Sequence, residues 1–157
     1  MLSDFEIIWR LLITVVLSGL VGLERQAHRR AAGLRTHILV GLGSCLIMLT
    51  SIYVFDIYRD SVMLDPTRIA AGVITGIGFL GAGTIIRQKN GVSGLTTAAS
   101  IWVVSGLGLA VGTGFIRTAL YATVLVLIIL HLARYLEKYL FINQKPGDKK
   151  EDSDGLS

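Results

Sequence analysis

Glu24 follows thirteen residues without a charge, Leu11 to Leu23, and the basic segment "RQAHRRAAGLRTH" comes straight after it. An ionisable group at membrane depth is a functional candidate by default, because its charge is costly there. Glu24 and Asp65 are the two candidate metal ligands. The bland alternative for Glu24 is an interfacial carboxylate paired with Arg35, Arg87 or His28, and the sequence supports both readings. If its helix ended at Glu24, the carboxylate would oppose the macrodipole. If the helix ran on to a stop near Gly33, His28 would lie one turn beyond Glu24. Arg25 and Arg29 share a helical face by their i, i+4 spacing. The basic residues here suit anionic lipid, a phosphate-bearing ligand or an acidic partner. Topological charge bias alone accounts for Arg29 and Arg30, whereas Arg25 and Arg35 flank the membrane boundary beside Glu24 and Thr36.

A second candidate is the stretch "GVITGIGFLGAG", which contains G-x-G-x-x-G. A dinucleotide-binding turn needs a strand before the glycines and an acid about 20 residues later for the ribose. After Asp65 the next acidic residue is Glu137, and the glycines lie inside an apolar run. No nucleotide cofactor is expected. Gly72 with Gly76, and Gly108 with Gly112, are small-xxx-small pairs, which let membrane helices approach closely. Gly76, Gly78, Gly81, Ala82 and Gly83 bare more than one helical face. They fit either tight packing by several neighbours or a hinge lining a ligand site.

The remaining polar groups read as structural. Asp65 and Pro66 suit an N-cap and a first helical position, although Asp65 with Asp56 or Asp60 is an alternative outer cation site. Thr96, Thr97 and Ser100 can cap backbone groups or bond across helices. His28, His37 and His131 have no metal-ligand spacing, and the lone cysteine, Cys45, reads as a packing residue. No catalytic triad or nucleophile elbow is present, so no enzyme is expected.

The elements that position these residues are membrane spans. Of 157 residues, 52% are hydrophobic and only 17% charged, against about a quarter charged in soluble domains; mean hydropathy is +0.65. Five apolar stretches stand out: Phe5–Leu23, Ile38–Phe55, Ile69–Ile86, Leu95–Val111 and Phe115–Ala133. Each approaches the ~20 residues that cross a bilayer as a helix, and the runs lack the alternation of barrel strands. The N-terminus carries Asp4 and Glu6 before its first basic residue and no cleavage site follows, so it is not a signal peptide. Near the spans, eight basic residues (Arg25, Arg29, Arg30, Arg35, Arg87, Lys89, Arg134, Lys138) fall on one side. Arg59, Arg68 and Arg117 fall on the other. The positive-inside rule then puts the N-terminus outside and the C-terminus in the cytoplasm. Trp102, midway along the fourth span, is expected to pack against another helix. The fold class is an all-α integral membrane protein, a bundle of five transmembrane helices over residues 1–142, with a disordered polar tail over 143–157. The formal charge of +4 is too small to argue for nucleic acid.

Three blocks carry a family resemblance: "GLVGLERQAHRRAAGLRTHILVGLGS", "DPTRIAAGVITGIGFLGAGTIIRQ" and "GVSGLTTAASIWVVSGLGLAVGTG". Together they resemble the MgtC/SapB (YhiD-like) membrane family over about residues 11 to 133. The resemblance implies a five-helix protein of the bacterial inner membrane, from a family associated with growth under magnesium limitation and with survival of pathogens in host cells. Its motif falls on Glu24, Arg25, Gln26, Gly33, Leu34, Arg35 and Thr36. It continues through Arg68, Gly76, Gly78, Phe79, Gly81, Gly83 and Arg87, then Gly94, Leu95, Thr97, Ala98 and Trp102. Many members add a soluble ACT-like C-terminal domain, and the expectation here is the transmembrane domain alone. Some members read Arg-Gly-Leu-Asn where this chain has Ser93-Gly94-Leu95-Thr96, so an amide becomes a hydroxyl.

Three functions compete. The first is a regulator that docks on a membrane partner or on a second copy of itself. The second is a transporter or channel for Mg2+ or another small ion. Spans two to five contain no acidic residue, which speaks against a carboxylate-lined magnesium path; a backbone-lined pore stays open. The third is an anion or lipid site around Arg25, Arg35 and Arg87.

Overall fold

A computed structural model describes residues 2–60, 65–89 and 91–141. Five helices and one hairpin follow in order: α1 (Asp4–Ala27), α2 (Leu34–Tyr58), α3 (Thr67–Gly83), strands β1 (Ile86–Gln88) and β2 (Gly91–Ser93), α4 (Leu95–Gly112) and α5 (Ile116–Phe141). Four of them, α1, α2, α4 and α5, are long and apolar enough to cross a membrane. The segment read as a polar tail lies outside the described residues. The contacts divide the chain into one unit up to Leu127 and another from Ile128. Within the second unit, Arg134 Nη2 donates to the Leu130 carbonyl at 3.4 Å.

Local signals fix both ends of α1. Ser3 and Glu6 form a capping box: Ser3 Oγ accepts from the Glu6 amide, and the Glu6 carboxylate accepts from the Ser3 amide at 3.0 Å, satisfying two orphan donors. At the other end the Arg30 amide donates to the Arg25 carbonyl and the Arg29 amide to the Gln26 carbonyl. That is the Schellman pattern, and it needs a left-handed residue just past the cap. Arg29 supplies it at φ 51°, a conformation that normally favours glycine. The helix therefore stops well before Gly33, after carrying Glu24 and Arg25 through one further turn.

Packing centres on α2. Helix α1 runs antiparallel to it, with Gly22 against Leu34 and Ser18 against Gly41; α4 runs parallel, with Gly108 against Gly41 and Gly112 against Met48. A Cβ at Gly108 would overlap the Gly41 carbonyl, and one at Gly112 would sit 2.7 Å from Met48 Cβ. Around these contacts Val21, Cys45, Ile101, Val104 and Val111 are fully buried. Buried hydroxyls mostly turn back to their own helices: Thr14 to Arg10, Ser44 to Val40, Ser105 to Trp102 and Thr123 to Ala119. Such back-bonding lets a polar side chain sit in an apolar core without an orphaned proton. Among the described residues Ser18 Oγ has no hydrogen-bond partner, although it is buried. Arg10 donates from Nη1 to the Gly112 carbonyl at 2.7 Å. It thereby satisfies an orphan acceptor at the negative end of α4.

Two expectations change. The stretch Ile69–Ile86 is not one helix. At 17 residues α3 spans only about 25 Å, and the amides of Thr84 and Ile85 fold back on the Gly81 and Ala82 carbonyls. Ile86 then pairs with Ser93 in the antiparallel hairpin, in register with Arg87 opposite Val92. Gly94, at φ 90°, returns so close to the Thr84 carbonyl that a Cβ would overlap it. Trp102 does not pack into a neighbouring helix: α4 turns Ile101, Val104 and Ser105 inward and leaves Trp102 53% exposed, beside the groove between α3 and α4.

The glycines of α3 contrast with those of α4. Around Gly72, Gly76, Gly78 and Gly83 a Cβ would meet nothing within 4 Å, and at Gly81 it would make ordinary contact with Ala98. Gly108→Ala is therefore expected to lower stability by ~2 kcal/mol through overpacking. Gly76→Ala is expected to be neutral or to add up to ~1 kcal/mol by helix propensity. Unfolding of both variants in mixed detergent micelles checks the contrast; equal effects would mean that the empty face is filled in the monomer.

Candidate functional site

The family-like residues of the first block meet where α1 ends and α2 begins. Because α1 continues past Leu23, Glu24 and Arg25 lie in its last turn, on the side facing α2 and α4. Arg25 is the buried partner, its side chain 3% exposed against 12% for Glu24, and its Nε donates to Glu24 Oε2 at 2.5 Å. His28 donates from Nδ1 to the Glu24 carbonyl at 2.7 Å, and the same nitrogen is 3.4 Å from Glu24 Oε1. Gln26 has a separate task. Its Oε1 accepts from the Leu34 amide at 3.1 Å, so a side chain from the end of α1 caps the start of α2.

One turn into α2, His37 is fully enclosed. Its Nδ1 lies 2.8 Å from the Gly33 carbonyl and its Nε2 3.0 Å from Ser100 Oγ on α4. Ser100 Oγ is in turn 2.8 Å from the Thr97 carbonyl. Thr97 itself is 4% exposed. Sequence reasoning found Ser100 as a hydroxyl that could bond across helices but gave His37 no role. The available signal was a histidine directly before the apolar run Ile38–Phe55, four residues after Gly33 and on the face that Gly41 also occupies.

The other candidates lie apart from this core. Arg35, Thr36, Arg87 and Thr96 are exposed. Asp65 and Arg68 sit at the start of α3, against the far end of α2, where Ser51 Oγ donates to the Pro66 carbonyl at 2.5 Å. Leu34 and Ser51 are 17 residues apart along α2, about 25 Å, so Glu24 and Asp65 do not converge on one ion. Asp65 Oδ1 accepts from the Thr67 amide and hydroxyl at 2.8 and 2.7 Å. These bonds hold its carboxyl below the usual aspartate range, as expected when donors face the charged form. Among the described residues no group of three His, Cys, Asp or Glu is placed to hold a metal.

Comparison with known proteins now bears on the same residues. Residues 11–139 match the MgtC family, a range that includes the ion pair, the Gln26 cap and the His37–Ser100 bridge. The chain belongs to the MgtC family. It is 45% identical over 133 residues to YhiD of Escherichia coli (strain K12), a protein whose name puts it forward as a magnesium transporter, covering 83% of this chain and 62% of that one. It is 43% identical over 150 residues to MgtC of Salmonella typhimurium (strain 14028s), covering 93% and 61%. With SapB of Bacillus subtilis (strain 168) the identity is 42% over 129 residues, covering 80% and 55%. The chain thus spans roughly three-fifths of the length of the curated relatives it matches. No solved structure matches it. With its apolar helices, membership makes this MgtC-family chain a membrane protein.

The Glu24–Arg25 pair makes a sharp prediction, since breaking a buried pair leaves one charge unanswered. Glu24→Gln alone, which strands the buried Arg25, is expected to cost about 3 kcal/mol, and Arg25→Met alone, which leaves Glu24 beside His28, is expected to cost less. The double variant is expected to cost less than their sum, because no stranded charge remains. A double-mutant cycle on unfolding in micelles reads the coupling, and strict additivity would show that the two groups do not depend on each other.

Proposed function

We propose that the chain is a non-enzymatic, multi-pass protein of the bacterial inner membrane that binds and regulates other membrane proteins during adaptation to magnesium limitation or stress. In this reading all five helices lie in the bilayer, α3 as a short span completed by the hairpin, with the N-terminus outside and the C-terminus in the cytoplasm. The observation that carries it is the empty glycine face of α3. An open apolar cleft of about 680 Å³ runs between α2 and α3 over Gly43, Gly72 and Gly76, whose missing side chains meet no neighbour. Membrane helices associate through such faces because close backbone approach supplies the packing energy that lipid does not. A partner helix, from another protein or a second copy, suits this surface.

The second reading, transport of Mg2+ or another small ion, is favoured by the name that the E. coli relative carries. Against it stands the pairing of Glu24, the carboxylate at this apolar boundary, with the buried Arg25. A carboxylate already balanced by a guanidinium is a poor ligand for a hard cation that prefers free oxygen donors.

Reconstituted liposomes separate the two. The expected result is no saturable Mg2+ flux from the purified chain across a range of gradients and membrane potentials. Saturable flux that Glu24→Gln abolishes would replace the regulator reading with a transporter. Binding is checked independently: with Cys45→Ala as background, Gly76→Cys is expected to crosslink in membranes to a second polypeptide, whereas Gly108→Cys is expected to give no crosslink.

A further inference from the structure

The hydrogens of the His37 bridge do not add up when the ring is neutral. Three contacts form a chain: His37 Nδ1 with the Gly33 carbonyl, His37 Nε2 with Ser100 Oγ, and Ser100 Oγ with the Thr97 carbonyl. Each needs one hydrogen between its two heavy atoms. A neutral imidazole and a hydroxyl bring two between them. The ring contact to the Gly33 carbonyl is the shorter, 2.8 Å against 3.0 Å to Ser100 Oγ, and it places the hydrogen of the neutral ring on Nδ1. Ser100 is then the one donor for two acceptors, His37 Nε2 and the Thr97 carbonyl, and one of them goes without. A second ring hydrogen completes the set: Nε2–H donates to Ser100 Oγ, and Ser100 Oγ–H donates to Thr97.

We propose that His37 is a proton-binding site inside the bundle, and that the Ser100 hydroxyl, by reversing its direction, lets the ring change charge without opening the contact between α2 and α4. In the neutral state Ser100 Oγ–H points to His37 Nε2. A proton from the water phase at the Glu24 end adds to the Nε2 lone pair as Ser100 Oγ–H turns to Thr97. An Nε2–H bond forms as an O–H bond of the hydronium ion that delivers the proton breaks, the Ser100 O–H bond only turns, and the junction gains one positive charge. The site is one turn from the start of α2, beside the exposed Arg35 and Thr36, so the path to water is short.

The surroundings let that charge be read. From α1 the groups that face it are Glu24 and Arg25, of opposite sign, with His28 at the exposed end of the same turn. On α2 the nearest charge is Arg35, which is exposed. Helix α4 carries no acidic or basic residue between Leu95 and Gly112, and α3 carries only Arg68, at its opposite end. The enclosure of the ring and the Arg25 charge oppose the added proton, and the Gly33 carbonyl and the Glu24 carboxylate favour it. Proton uptake would redistribute the Glu24–Arg25 pair and report the acidity of that side of the membrane to the packed core. The inference is independent of whether the protein regulates or transports.

The test is nitrogen-15 spectroscopy of the full chain, labelled at histidine and held in phospholipid nanodiscs. The titration runs from about pH 8 to about pH 5, the range in which histidine changes charge. His37→Gln assigns the His37 signals by their loss, and His131→Gln, at an exposed position away from the site, identifies a second set. The expected result at the alkaline end is a hydrogen on Nδ1 and a bare, hydrogen-bonded Nε2, with both nitrogens protonated on acidification. Ser100→Ala is expected to weaken proton uptake at His37 about tenfold, one pH unit, without moving His28 or His131. Three results would overturn the proposal. They are a hydrogen on Nε2 at the alkaline end, a His37 unchanged down to the acid end while the other two histidines titrate, and an unaltered titration in Ser100→Ala.

Discussion

The contact between the Gly41 and Gly108 backbones is the constraint on which the rest of this structure depends. Lipid is as apolar as a leucine side chain, so membrane helices gain nothing from hiding apolar surface from one another and must gain it from close packing. Where α2 and α4 cross, neither chain has a side chain in the way. Because they run parallel, the approach at Gly108 sets the spacing at both ends. It brings His37 within reach of Ser100 at one end and seats Gly112 against Met48 at the other. Helix α1 is held by the same logic, with Gly22 against Leu34 and Ser18 over Gly41. Gly41 is thus shared by two interfaces: its carbonyl faces Gly108, and a side chain there would run into Ser18 and Thr14 of α1.

Polar groups are settled around that contact in two ways. Most hydroxyls return to a carbonyl of their own helix, which removes the cost of burial without fixing a neighbour. The bonds that tie elements together are few and sit near helix ends: Arg10 to the Gly112 carbonyl, Ser51 to the Pro66 carbonyl, Gln26 to the Leu34 amide and His37 with Ser100. Helix ends are where unpaired backbone groups remain, so a side chain from another element gains most there. The family-like cluster around Glu24 and Gln26 is one such end, and its first role is to make the corner between α1 and α2.

Much of this was legible in the sequence, and the exceptions have physical causes. Apolar run length finds helices well, since only hydropathy and length are needed, and four of the five stretches became helices long enough to span a membrane. Run length cannot see where a helix stops. Arg29 takes a left-handed turn usually marked by glycine, so the end of α1 was hidden. Thr84 ends α3 inside an unbroken apolar run, and the β-branched Ile85, Ile86 and Val92 around Asn90-Gly91 signalled a hairpin. The glycine pairs show a second limit. Gly72 with Gly76 and Gly108 with Gly112 have the same spacing, yet one pair faces open space and the other a backbone. Spacing says that a face is bare, and only the tertiary arrangement says what stands opposite.

The same difference bears on mechanism. An ion passing between α1, α2 and α4 would have to cross the contact that holds them together. That region is lined by hydroxyls, several of which bond back to their own helices, and by glycines with a neighbouring carbonyl already in the space a side chain would fill. Opening it would separate His37 from Ser100 and Arg10 from Gly112 together, since all four residues hang on one helix crossing. Helix α3 is under no such restraint. Its inward residues, Val73, Ile77 and Gly81, hold it to the core, while Gly72, Gly76, Gly78 and Gly83 face open space and its last turn gives way to a hairpin. Whatever approaches this protein from within the membrane can meet the backbone of α3 without disturbing the core. A surface that yields beside a core that cannot is the arrangement a docking protein needs.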